Sequence, residues 1–513
     1  MDSPAGPVPE SPPRILKIGS VPSLFGIFVS LLVVKFVVTA VYNVYFHPLS
    51  KYPGPKLALT SNLVWWMISY TGKIEQWTRK QHETYGEIVR LGPDRLSYIN
   101  PQAWKDIYGH RSAGKKENGK DLRRFYTKDI NDKYHVLNTP DVVEHGNLRR
   151  IFSNAFSEKA LKLQEPLIKR YVDKLIWNMY RMTKEDPDVS LGMVKLYNLT
   201  TFDIISDLTF GEPLGLLEQS EYTPWVQAIF ANVKAQHMQR IQLEFPMLGK
   251  IMSWFIPQSL IDQQKAHFQH SAERVDRRLE KGVDGDKPDI WGLVLAKGKD
   301  NQLGLGEMHA NSSIFMIAGS ETTATLLSGL TFYLLKNPDK LRKVVDEVRA
   351  VASEDELTLE LLPRMPYLNA CFEEGLRVYP PVPIGPPREV PQGGNVICGD
   401  WVPEKTRVSV HQWSAYRSAL NFKDPDSFIP ERWLPGNVEY ESDQREVLQP
   451  FSFGPRNCLG KNLAYHEMRI ILSKVLWHFD LELCEQSQDW ANHKSFTLWE
   501  KPELWCKAKP IRA

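Results

Sequence analysis

Cysteine, unbalanced charge and strand-like pattern are all scarce in this chain, and each shortage removes a class of function. The five cysteines (Cys371, Cys398, Cys458, Cys484 and Cys506) are scattered and odd in number. They show no CxxC or Cys/His spacing of a zinc site and cannot build a dense disulfide framework, which points to a reducing compartment for the catalytic part. The formal net charge is +2, so there is no basic footprint for nucleic acid. No P-loop or GxGxxG fingerprint occurs, which leaves the chain without a nucleotide site of its own. A length of 513 residues allows roughly two to four domains. Past residue 56, however, there is no second linker, repeat or low-complexity run. Strand-like stretches are few: 88–90, 96–99, 396–397, 407–410 and 504–508. Helical periodicity dominates residues 140–380, over 148–156, 163–182 and a long run from Glu307 to Lys336 that Asn337-Pro338 should stop. The expected architecture is one large domain, mainly α with small β-sheets.

Charge is scarcest near the N-terminus. From Ile18 to Phe46 the only charged residue is Lys35. Crossing a bilayer takes about 20 apolar residues, and this run is long enough. A cleaved signal peptide, whose apolar part spans about 7–15 residues, fits less well. Lys35 at the centre costs about 2.5–3.5 kcal/mol on insertion scales, which the surrounding Leu, Val, Ile and Phe must outweigh. Flanking charge does not decide orientation, because Arg14 and Lys17 balance Lys51 and Lys56. The organisation read from this is a proline-rich, disordered tail over 1–17, one transmembrane anchor over 18–46, a proline-stiffened hinge over 47–56 and the catalytic domain over 57–513.

The most specific segment is Phe451-Ser452-Phe453-Gly454-Pro455-Arg456-Asn457-Cys458-Leu459-Gly460, followed at once by a helical pattern. A cysteine just before a helix N-terminus is biased toward the thiolate by the dipole and free N–H groups. Gly454 and Gly460 permit tight turns near the sulfur. Arg456 can meet a carboxylate of a bound cofactor. A lone buried cysteine is usually inert, but the glycines, the arginine and Phe451 at fixed offsets argue otherwise.

This segment resembles the haem-binding loop FxxGxRxCxG of the cytochrome P450 monooxygenases, and other landmarks of that family follow in its order along nearly the whole chain. The resemblance implies a P450 fold holding haem b, with Cys458 as the axial thiolate ligand of the iron. Glu374-Gly375-Leu376-Arg377 is similar to the family's ExxR motif, and Phe428-Ile429-Pro430-Glu431-Arg432-Trp433 to the segment that adds a second arginine. The implied structural triad is Glu374, Arg377 and Arg432; on its own, ExxR reads as a solvated surface pair. Ala318-Gly319-Ser320-Glu321-Thr322-Thr323, a polar break in an apolar helix, resembles the family's acid–alcohol pair. Thr322 is then expected to contact the oxygen and Glu321 to relay protons. Besides Arg456, the implied haem carboxylate contacts are His145, Arg149 and Arg388; the segment departs from related sequences at Asn147, where another arginine is common. An apolar substrate pocket is expected from Ile314, Phe315, Ala318, Val382, Ile384 and Phe496, with further contacts from the loop 113–137.

The resemblance further implies electrons from NADPH through a separate cytochrome P450 reductase, a single-pass endoplasmic reticulum protein with a cytosolic catalytic domain, and oxidation of an apolar small molecule by O2. The pattern YFHPLSKYPGP and the wording around the haem loop are similar to fungal enzymes of secondary metabolism, of the isotrichodermin C-15 hydroxylase type, acting on a terpenoid or polyketide. The alternatives are a haem sensor, or a member of the fold that rearranges its substrate without O2. Loss of Glu321 or Thr322 would favour them, and both residues are present. The sequons at Asn198 and Asn311 are discounted, because a cytosolic domain is not glycosylated and Asn311 falls in the long helix.

Overall fold

A helix from Leu305 to Lys336 runs through the middle of the molecule. In this computed structural model, residues 20–111, 116–254, 258–282, 288–296 and 303–512 are described. The expected tail 1–17 and positions 113–115 of the substrate loop lie outside them. The central helix is buried on most sides, the pattern of a helix enclosed by others. Around it pack the helices Met193–Phe210, Gln258–Glu280, Pro366–Val378 and Lys461–His478. Its approach to Met193–Phe210 is close at Gly319, where a Cβ would lie 2.7 Å from Ile205 Cδ1. It ends at Asn337, and Pro338 opens the next helix at its first turn, where the missing N–H costs nothing.

The sheets are small and peripheral. The largest has five strands in the order Ile88–Gly92, Arg95–Tyr98, Arg407–Val410, Arg388–Glu389, Gly119–Lys120. Arg95–Tyr98 and Arg407–Val410 run parallel, and the other neighbours antiparallel. Asn395–Ile397 pairs with Asp400–Val402, and Phe479–Leu483 with Trp505–Pro510. A short hairpin joins Ser495–Phe496 to Leu498–Trp499. The fold is mainly α with small sheets, as the periodicity anticipates. Asn198 and Asn311 are buried; Asn311 Oδ1 accepts the Val136 N–H at 2.9 Å.

The apolar N-terminal run forms the helix Ser20–Val41, continued by one wider turn over Tyr42–Phe46. Over Phe25–Phe46 it is long and apolar enough to cross a membrane, and most of those side chains are exposed. The proline segment after it is docked on the sheet. Leu49 and Tyr52 are buried in the sheet's core, and Pro53 O accepts the Arg90 N–H at 2.8 Å. At Gly54 a Cβ would lie 2.1 Å from Arg90 O, so only glycine allows the contact.

Candidate active site

The loop 451–460 turns sharply and leaves Cys458 exposed beside the start of the next helix. Gly454 has φ +76° and sits where a Cβ would meet Tyr108 O at 2.1 Å, so both its conformation and its surroundings demand glycine. The Cys458 N–H donates to Phe451 O at 2.8 Å, and the helix Lys461–His478 begins three residues on. Cys458 is exposed, and the protein packed around the loop still acts on its thiol. Burial pushes its thiol up, against the Gly460 N–H and the charges of Arg149 and Lys461, which favour the thiolate. A metal cation at the sulfur reverses that balance, since a coordinating thiol is deprotonated.

Cations converge beside this loop. Arg149 stands on the helix Val142–Ser153, which Asp141 caps by accepting the Glu144 N–H at 2.8 Å. Arg149 donates to Asn457 O at 2.6 Å and to Asn457 Oδ1. Arg456 donates to Thr139 O at 2.7 Å and Pro140 O at 3.0 Å. Arg388 is buried, and its Nε and Nη1 have no hydrogen-bond partner among the described residues. Opposite it in the sheet is Lys120, whose Nζ lies 4.1 Å from the centre of the Tyr126 ring. Burial, then the charges of Arg388 and Arg456, push Lys120 well below the usual lysine range. His145 is lowered to about 3 by burial and by Arg456, Lys120, Arg149 and Arg388. The nearest carboxylate is Glu117, 3.9 Å from Arg456. Buried cations so poorly matched by carboxylates fit a ligand that brings two of its own, as haem does. The sequence does not single out Lys120; its only distinction is strand pairing with Arg388.

On the central helix, Ile314, Ala318 and Thr322 are spaced i, i+4, i+8 and form one stripe. Ala318 is exposed and the other two are half-buried, although the helix is otherwise enclosed, so the stripe borders an internal space. The Thr322 hydroxyl donates to Ala318 O at 2.6 Å, the competition with the backbone expected of a mid-helix threonine. Glu321 is buried on another face and forms an ion pair with Lys501. Lys501 Nζ also donates to Thr325 Oγ1 at 2.7 Å, while Glu321 Oε2 has no hydrogen-bond partner among the described residues.

A cytochrome P450 profile matches residues 53–507. The chain belongs to the cytochrome P450 family. It is similar to the cytochrome P450 monooxygenase FUM2 of Gibberella moniliformis, at 51% identity over 92% of this chain and 100% of the relative. The monooxygenase efuB of Hormonema carpetanum is 47% identical over 92% and 93%, and AMT3 of Alternaria alternata 45% over 90% and 94%. The chain is a P450 monooxygenase, and membership of the family implies haem held by a cysteine thiolate.

In this P450 the ExxR residues stand on the helix Pro366–Val378. Arg377 grips Glu374 with two hydrogen bonds, at 2.8 and 2.7 Å, and donates to the carbonyls of Tyr416, Pro425 and Ser427. Arg432 donates to Glu374 at 3.3 Å and pairs with Asp443. The Ile429 N–H and Trp433 Nε1 complete the shell around Glu374, at 2.7 and 2.9 Å. All three triad side chains are fully buried, so the surface-pair reading of ExxR does not apply. Burial raises the Glu374 carboxyl, but Arg377, then Arg432 and Ile429, outweigh it and hold the group below its ordinary value.

The expected pocket residues separate. Ala318, with Ile314, borders the internal space, and Val382 and Ile384 are half-buried on the following segment. Phe315 is a correction. One step along a helix turns a side chain by about 100°, and Phe315 packs into the core 5.0 Å from the Phe152 ring and 5.8 Å from Phe156. Phe496 is buried in the C-terminal hairpin, its ring 5.7 Å from His237. Phe451 serves the loop through its carbonyl, and its ring lies 5.1 Å from Tyr465.

Proposed function

We propose that this P450 inserts one oxygen atom from O2 into an apolar terpenoid or polyketide intermediate of fungal secondary metabolism. The observation that carries the reading is the convergence of Cys458 with poorly matched buried cations. Haem supplies the one-electron and oxygen chemistry when bound. Cys458 would hold its iron through the thiolate, and Arg149, Arg388, Arg456 and Lys120 would hold its carboxylates, with His145 packed among them. Ile314 and Ala318 keep the reacting space apolar. Thr322 Oγ1 is the last proton donor toward that space, and the Glu321–Lys501–Thr325 chain behind it holds the proton supply. Glu374, Arg377 and Arg432 brace the haem loop without taking part in the chemistry. Electrons come from NADPH through a separate P450 reductase. The helix Ser20–Val41 anchors the protein in the endoplasmic reticulum membrane with the catalytic domain cytosolic. The likeness of YFHPLSKYPGP to isotrichodermin C-15 hydroxylase-type enzymes belongs to the same reading, as do three relatives that are fungal P450 monooxygenases.

The test begins with the reduced protein and CO, which should show the strongly red-shifted Soret band of thiolate ligation. Cys458→Ala should lose that band. Supplied with reductase and NADPH, the parent should transfer labelled oxygen from O2 to a product seen by mass spectrometry. A retained band in Cys458→Ala, or product free of label, contradicts the proposal.

A further inference from the structure

A second group of charges, buried at Arg407 and half-buried at Arg95, Arg124 and Arg240, lies near Ile384. A cavity of about 70 Å³ is bordered by the five-stranded sheet, the helix Pro224–Glu244 and the C-terminal hairpin. Four guanidinium groups face it, from Arg95, Arg124, Arg240 and Arg407. Three carboxylates stand close to them. Asp94 and Glu244 each accept from Arg407 at 2.7 Å, and Arg124 also pairs with Asp94. The third is Asp121, which burial pushes upward despite Arg407, Arg95 and Arg124. Among the described residues Asp94 and Glu244 pair with Arg407 and Arg124, and positive charge without an ion-pair partner is left over.

The surplus falls at Arg240. It donates to the Thr497 hydroxyl at 2.8 Å and lies 3.8 Å from the centre of the Phe125 ring, but no carboxylate contacts it among the described residues. Neighbouring His237 bonds Ser69 and Thr497 and is lowered to about 3 by burial and the Arg240 charge, so it is neutral. Arg95 stacks 3.9 Å from the Trp65 ring centre, and its buried Nε has no partner among the described residues. Burial lowers Arg240 only to about 10, so it stays charged at neutral pH. A half-buried guanidinium without a counter-ion still loses part of its hydration, and a ligand that brings a negative charge offsets that cost. The space suits a head group, while Ile384 and Thr497 join it to the segments that carry the pocket.

We propose that the substrate carries a carboxylate, which Arg240 binds in this cavity while the apolar skeleton extends past Ile384. The planar guanidinium fork matches a carboxylate with two parallel hydrogen bonds. Arg95 is close enough in the same cavity to add charge, and the Phe125 and Trp65 rings exclude water around the pair. The proposal rests on the monooxygenase reading for the identity of the pocket, but its test does not use turnover.

Calorimetry on the full-length, haem-loaded protein would compare dodecanoic and abietic acids with their methyl esters. At least one acid should bind about tenfold or more tightly than its ester, as expected when one partner of a desolvated charge pair is removed. Arg240→Met should abolish the preference and Arg240→Lys should keep part of it; comparison with the parent cancels partitioning of the probes into detergent. Arg240→Gln gives the same information if the methionine variant does not fold. No acid preferred over its ester, or a preference unchanged in Arg240→Met, overturns the proposal. So does sodium acetate or phosphate binding as tightly as the acids, which would assign the site to a free anion. The CO spectrum of the same preparations reports separately on haem–thiolate ligation. A normal spectrum without acid preference removes the carboxylate anchor and leaves the monooxygenase reading standing.

Discussion

Glu321 and Lys501 are both almost fully buried, and each is the other's counter-ion. Removing one partner of such a pair costs about 3–5 kcal/mol, so Lys501 variants mix stability with chemistry. Thr322 gives a cleaner probe, because among the described residues its hydroxyl bonds only its own helix, at Ala318 O. Thr322→Ala should retain haem content, the CO spectrum and NADPH consumption. Product per NADPH should fall and hydrogen peroxide rise. Proton transfer by a positioned group contributes about 10²–10⁴ in rate, so the loss should be large, and Thr322→Ser should restore most of it. Glu321→Gln should instead slow NADPH consumption itself. Parent-like product yield in Thr322→Ala contradicts the assigned role and revives a reaction that does not activate O2.

The helix Pro366–Val378 contributes to assembly through Glu374, where the backbone of 425–429 and the side chains of Arg377, Arg432 and Trp433 meet. Glu374→Ala leaves buried Arg377 without its acid and Arg432 with Asp443 alone. The expected cost of about 3–5 kcal/mol is a large share of a typical 5–15 kcal/mol stability. Little haem-loaded protein should accumulate, and normal haem content with an unchanged melting temperature would show the triad to be dispensable. The pH dependence has a definite sign. Glu374 is held below its ordinary value of 4.5 in the folded protein. Its stabilisation is therefore complete above that value and is lost as pH falls through the lower folded value. Thermal melts of the parent should drop in that acid window, and Glu374→Gln should flatten this part of the profile. The ExxR letters alone allow a helix-surface pair; only the arrival of residues about fifty positions later makes it a buried hub.

At the scale of the whole molecule, two apolar surfaces suit attachment to a membrane. The helix Ser20–Val41 is outward-facing and apolar, and Asn43 ties its end to Thr60 O at 3.1 Å. Beyond it the globular part exposes Leu57, Met67 and Tyr70, and also Met247, Ile251 and Trp254. The two groups are linked through Glu244, which accepts from Asn62 at 2.9 Å and from Trp66 at 3.4 Å. Such an apolar face suits an interface with lipid. Deleting residues 1–46 should shift the haem protein largely, but not wholly, to the soluble fraction. Adding Met247→Ser and Trp254→Ser should release most of the remainder. Complete pelleting of the folded deletion variant would show that the N-terminal helix is not the main attachment.

Much of the candidate site was legible because its chemistry is local in the chain. The loop around Cys458, the polar break at 318–323 and the length of the central helix each follow from neighbouring residues and backbone preference. Strand existence was legible too, but pairing was not, and pairing is what sets Lys120 beside Arg388. Tertiary packing alone decided that Glu321 meets Lys501 from 180 positions away, that Phe315 turns into the core while Ala318 faces inward space, and that Arg240 meets no acid among the described residues. The physical reason is the same in each case. Periodicity reports which face of an element is apolar, whereas the cost of a buried charge depends on what other elements bring to it, and no local pattern encodes that.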